Sequence, residues 1–122
     1  MLKFIIAVLL MCSTSYGGFI LDSLDEAKEL SKSTKQPILL IFGSENCIYC
    51  KSLEQDLTNG QLTNDIQKYI ICYIDVTTNQ GTKEDYQVTS VPDSRIIINN
   101  VQKSKATGYN KKQYLEWLKN AK

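Results

Sequence analysis

A chain of 122 residues with 43% hydrophobic and 22% charged side chains has the make-up of one globular domain, and its formal net charge of +1 gives no global pull toward nucleic acid. It holds four cysteines and no histidine. Without imidazole there is no Ser-His-Asp or Cys-His nucleophile pair and no His-ligated zinc site, so any chemistry must run on Cys, Lys, Tyr, Asp or Glu.

The chain opens with Lys3 and then Phe4 to Met11, eight apolar residues without a break. That is far short of the ~20 residues a bilayer-spanning helix needs. A basic start, a short apolar run and the small residues Ser15 and Gly17 read as a secretory signal peptide over residues 1–17, cleaved after Gly17. Ser15 is a second candidate cleavage point. One competing reading is a buried N-terminal helix or strand. Another is a lipoprotein signal ending at Cys12, for which Leu9 suits position −3 but Met11 at −1 is much larger than the usual Gly, Ala or Ser. Cleavage leaves one domain, residues 18–122, with 105 residues, balanced charge and three cysteines: Cys47, Cys50 and Cys72. A domain of that size needs neither metal nor disulfide to fold. Export to the periplasm or beyond puts its thiols in an oxidising compartment.

Ser23-Leu24-Asp25-Glu26 is a capping-box pattern, with Leu24, Ala27 and Leu30 on one helical face behind it. That helix should stop before Pro37. Ile38 to Phe42 is a continuous apolar run ending at Gly43, the pattern of a strand buried on both faces. Cys47-Ile48-Tyr49-Cys50 follows, and Leu53 and Leu57 mark a helix from Cys50 onward. Asn59-Gly60 punctuates it, and a shorter helix is expected over Gln61–Tyr69. Ile70 to Val76 reads as a second buried strand, and Lys83–Gln87 as a helical turn. Val91-Pro92 leads into a third strand, Arg95–Ile98. Asn99-Asn100 is a hairpin signal, Val101–Ala106 an edge strand, and Lys111–Ala121 a helix whose apolar face is Tyr114, Leu115, Trp117 and Leu118. Residues 101–122 carry six lysines and one glutamate, a pattern of lysines guarding an edge strand and a solvated helix face rather than a basic docking patch.

The chemistry converges on Cys47 and Cys50. A lone C-x-x-C also suits half a zinc site, a two-thiolate Cu(I) clip or a structural disulfide. Zinc would lack a fourth thiolate or imidazole ligand, the copper clip leaves Pro92 unexplained, and a disulfide across so short a loop constrains the unfolded chain little. What is specific is the position, where a buried strand hands over to a helix. Free N–H groups and the positive end of the macrodipole stabilise a thiolate there. Cys47, the outer residue, is the candidate nucleophile. Cys50, one turn further in, is the candidate resolving thiol. Lys51 favours the thiolate and Glu45 opposes it. Cys72, within an apolar strand, reads as a small buried hydrophobe.

With Ile74-Asp75, Tyr86-Gln87-Val88-Thr89-Ser90-Val91-Pro92 and Gly108 before an amphipathic helix, the order of elements around the C-x-x-C resembles the thioredoxin family over nearly all of residues 18–122. The resemblance implies an α/β fold of the thioredoxin type, a central mixed sheet of about four strands flanked by helices, with Phe19-Ile20-Leu21 as the remnant of a first strand. It implies that Val91-Pro92 is cis, packs beside the cysteines and offers the Val91 backbone to a substrate chain, with Tyr49 shaping the same groove. Departures from the family pattern are Asn46 in place of Trp, Ile48-Tyr49 in place of Gly-Pro, Ile41 where a buried Asp is common and Ile71 near its usual lysine. Asp93 after the proline is expected to place an extra carboxylate beside the site and to disfavour acidic substrates. The function implied is a thiol–disulfide oxidoreductase acting on exported proteins, leaning to reductase or isomerase. It needs no cofactor or metal, only a membrane or periplasmic redox partner, and no nucleic acid. The rival reading is a non-catalytic binding module of the same fold with a permanent Cys47–Cys50 disulfide.

Overall fold

The computed structural model describes residues 20–120. The expected signal peptide, its cleavage point, Cys12 and the Ala121 end of the last helix lie outside them. Strand β1 (Ile20–Leu21) is followed by helix α1 (Leu24–Thr34), β2 (Ile38–Gly43), α2 (Ile48–Thr58), α3 (Thr63–Ile66), β3 (Ile70–Asp75), α4 (Gln80–Asp85), β4 (Asp93–Ile98), β5 (Val101–Thr107) and α5 (Lys111–Asn120).

Local chemistry accounts for the boundaries. Ser23 caps α1, its hydroxyl oxygen accepting the Glu26 N–H at 3.2 Å. The helix closes on Lys35, which takes a left-handed conformation and donates its N–H to the Ser31 carbonyl, and Pro37 keeps the chain extended into β2. Of the expected apolar face, Ala27 is buried and Leu24 packs on the core, but Leu30 is 39% exposed. Helix α3 is shorter than Gln61–Tyr69. The chain leaves it at Ile66 so that Tyr69 can enter the core and the Ile70 N–H can reach the Pro37 carbonyl at 2.8 Å. Helix α4 begins at Gln80 rather than Lys83 and stops before Gln87, whose φ of 53° lies outside the helical region.

The sheet has five strands in the order β1-β3-β2-β4-β5, one more than the sequence suggested because Ile20–Leu21 pairs with Ile71–Cys72. Strands β1, β3 and β2 run parallel; β4 and β5 are antiparallel to their neighbours. At the β4–β5 hairpin Asn99 and Asn100 both take left-handed conformations, φ 53° and 65°, as a two-residue turn of matching twist requires. All six residues of β2 are buried because helices cover both faces. Ile38, Leu40 and Phe42 join Ala27, Cys72 and Ile74 on the α1 side. Leu39 and Ile41 join Leu53, Leu57, Ile71, Tyr114 and Leu118 on the side of α2, α3 and α5. Each fully buried Ile, Leu or Phe among them contributes about 1.5–3 kcal/mol through burial. Double burial makes β2 a rigid platform for what projects from its end.

Candidate active site

Strand β2 ends at Gly43, paired with Asp75 of β3, and the chain turns through Ser44–Asn46 into Cys47. The Tyr73 side chain lies over Gly43, and a Cβ there would overlap the phenol, so any larger residue at the end of the platform would force the ring to move. Burial raises the Tyr73 hydroxyl to about 12, with Glu54 and Asp75 adding to the shift. Asp75 moves the opposite way, its carboxylate held below the usual range by the Thr77 hydroxyl at 2.6 Å and the Thr77 N–H at 2.9 Å.

Cys47 is the N-cap of α2, in an extended conformation, and its sulfur accepts the Cys50 N–H at 3.1 Å. A sulfur in the capping position satisfies one of the helix's unpaired donors and meets the positive end of its dipole. No acidic residue occupies the first turn of α2. Cys47 is partly exposed whereas Cys50 is fully buried, with their Cα atoms 5.1 Å apart and the pair closed as a disulfide. Ile48 and Tyr49 between them are 77% and 64% exposed, an apolar rim around the outer sulfur. Lys51 and Glu45, of opposite charge, are both exposed at the surface.

The second half of the site comes from the other end of the chain. The Val91–Pro92 peptide bond is cis, and the Val91 carbonyl oxygen lies 3.7 Å from the Cys47 sulfur, close enough to accept a hydrogen bond from the Cys47 thiol when reduced. Gly108, in a left-handed conformation, donates its N–H to the Pro92 carbonyl at 2.7 Å and so ties this segment to the start of α5. Cys47, Cys50, Val91 and Pro92 thus meet at one point, with Tyr49 exposed beside them. Ile41 and Ile71 are buried in the α2-side core, so neither position offers an ionisable group beneath the cysteines.

Asp93 departs from the sequence reading. It does not face the site as a free carboxylate but is 1% exposed, and Arg95, 5% exposed, grips it with Nε at 2.9 Å and Nη2 at 3.0 Å. The reason is strand alternation: β4 begins at Asp93, not Arg95, so the two side chains share the α1-side face and neutralise each other there. A charge so enclosed does not repel acidic substrates. The usable signal was the Asp-x-Arg spacing at the head of an apolar strand.

Cys72 takes no part. It is fully buried in β3, and burial, followed by Asp22 and Glu26, pushes its thiol up to about 12. Among the described residues no group of three or more Cys, Asp or Glu is placed to hold a metal ion.

Residues 20–97 match the profile of a family described as thioredoxin-like. Among curated proteins, no sequence matches the chain. Among solved structures, a thioredoxin from Fasciola hepatica superposes with a TM-score of 0.70 at 19% identity, covering 84% of this chain and 98% of its own. A thioredoxin from Thermus thermophilus gives 0.71 at 16%, covering 82% and 83%. Thioredoxin f from spinach chloroplast gives 0.67 at 15%, covering 86% and 95%.

Proposed function

The chain belongs to the thioredoxin-like family, and on that premise we propose that it is a thiol–disulfide oxidoreductase that exchanges disulfides with exported proteins, as a reductase or isomerase in the periplasm or outside the cell. The observation that carries this reading is Cys47 itself: a partly exposed sulfur in a helix N-cap, accepting a backbone N–H at 3.1 Å. A helix N-terminus stabilises a thiolate, and the partial exposure leaves it open to attack a partner.

In the reduced protein the Cys47 thiolate attacks one sulfur of a substrate disulfide. The Cys47–substrate bond forms, the substrate's own S–S bond breaks, and its other sulfur leaves as a thiolate that takes up a proton. Cys50, deprotonated, then attacks the Cys47 sulfur. The Cys47–Cys50 bond forms, the mixed disulfide breaks, and the substrate leaves with both sulfurs reduced. Two electrons have moved to the substrate, and a membrane or periplasmic thiol donor must return them. The reverse sequence oxidises a dithiol. Cys50 is buried, so external disulfides meet Cys47 first. Tyr49, exposed, and the half-buried Val91 before the buried Pro92 form the docking groove, where an extended substrate chain pairs with the Val91 backbone.

A Cys50→Ser variant tests this directly. It retains the nucleophile and lacks the resolving thiol, so covalent mixed disulfides through Cys47 should accumulate with disulfide-bearing exported proteins and disappear on adding dithiothreitol. A variant that forms no such adducts contradicts the proposed activity.

A further inference from the structure

The buried ion pair that follows the cis-proline lies between β2 and the segment that delivers Val91. Arg95 donates two hydrogen bonds to Asp93, and its third nitrogen donates to Gln102 Oε1 of β5 at 3.1 Å. Its guanidinium also stands over two rings, 5.7 Å from the Phe42 centroid and 5.6 Å from that of Tyr86. The rings themselves lie 5.5 Å apart. Phe42 belongs to β2, five residues before Cys47. Tyr86 opens the segment that delivers Val91. Asp93 directly follows Pro92. One side chain therefore bridges the strand that carries the cysteines and the loop that faces them.

Stability alone is a weak reason for such a pair, because burying two charges costs much of what their attraction returns, and apolar side chains of similar volume often hold a fold as well. A forked, two-bond contact supplies direction instead: it fixes the angle of the carboxylate and of the backbone attached to it. The neighbouring constraints agree. Gly108 holds the Pro92 carbonyl from the other side, and Lys105 approaches Asp93 Oδ2 at 3.8 Å.

We propose that Arg95 is a positioning residue for substrate capture: by gripping Asp93 and stacking on Phe42 and Tyr86, it sets the Val91 backbone at the height and angle at which a substrate chain is held against Cys47. This rests on the oxidoreductase reading above. Arg95 touches no substrate, so its removal should leave the sulfur chemistry intact and weaken the docking of a chain.

The test compares two disulfides with dithiothreitol as the electron donor: a peptide with an intrachain disulfide, which can pair with Val91, and a small aromatic disulfide, which has no chain to pair. Two variants are made. Arg95→Lys keeps the charge and loses the fork. Asp93→Val with Arg95→Met removes both charges, so no unpaired charge is buried and folding is preserved, as circular dichroism would verify. A backbone shift of about 1 Å costs up to about a hundredfold, so KM for the peptide should rise about tenfold or more in both variants. Its kcat should stay within about twofold of wild type, and turnover of the small disulfide should be unchanged. A folded double variant with wild-type KM for the peptide, or with equal losses on both substrates, overturns the positioning role. A wild-type protein inert toward both disulfides overturns the oxidoreductase reading and the inference with it.

Discussion

Gly43→Ala is the perturbation whose consequence is most directly worked from the structure. The new methyl would overlap the Tyr73 hydroxyl and lie 2.6 Å from Cζ and 3.3 Å from Cε1 of the same ring. Carbon atoms in good contact sit about 3.5–4.0 Å apart, so the ring must retreat by about 1 Å. Its freedom to do so is limited, because Tyr73 is in register with Ile41 at the middle of a parallel pair and packs on the α2-side core. Overpacking of this kind costs about 1–3 kcal/mol. Alanine offsets about 0.4–1 kcal/mol of that by restricting the unfolded chain. The net loss should be about 1–2 kcal/mol, or roughly 4–16 °C in Tm at about 4–8 °C per kcal/mol for a domain near this size. Equilibrium urea unfolding of the oxidised protein measures it. Combining Gly43→Ala with Tyr73→Leu removes the obstacle, so the double-mutant cycle should return a coupling of about 1 kcal/mol or more. A Gly43→Ala protein as stable as wild type, or a cycle without coupling, would refute the steric account.

Alkaline stability should follow the buried thiol and phenols. Cys72 rises from its ordinary 9.0 to about 12 in the fold, so it contributes stability in full below pH 9 and loses it as pH climbs toward 12, at up to about 1.4 kcal/mol per pH unit. Tyr69, Tyr73, Tyr109 and Tyr114 are all raised by burial and act with the same sign above pH 10. The urea midpoint of wild type should therefore begin to fall near pH 9 and that of Cys72→Val near pH 10; parallel curves would contradict the assignment. Asn100→Val puts a β-branched side chain at φ 65° and should cost about 1–2 kcal/mol, whereas Asn100→Gly should cost nothing, as thermal melts of the two variants will show. Leu53→Ala empties a fully buried position one turn beyond Cys50 and should cost about 2–5 kcal/mol in urea; a loss below about 1 kcal/mol would mean that α2 does not rely on this contact.

The features legible in the sequence are those set by short-range patterns. Ile38 to Phe42 could only be a strand covered on both sides, and the structure buries all of it. Ser23 before Glu26, Pro37 after α1 and Asn99-Asn100 each act within a few residues, and each acts as its chemistry requires. The cysteine pair was legible for the same reason, since a strand-to-helix junction is a local event. What stayed hidden depends on partners distant in the chain. Gly43 is a glycine because Tyr73 covers it from β3. Leu30 fits the apolar face of α1 by spacing, yet is exposed and lies outside the core cluster that Ala27 and Leu24 join. Asp93 reads as a site charge in the sequence because its pairing with Arg95 depends on β4 starting two residues early and on rings from Phe42 and Tyr86.

The central claim, that Cys47 and Cys50 form a working redox couple rather than a structural clasp, is tested most directly by titrating the pair against a glutathione or dithiothreitol buffer and reading the thiols by mass shift after alkylation. A potential between about −270 and −120 mV is the result expected of a catalytic pair, and a value well below about −300 mV would mark a permanent bond and contradict the account.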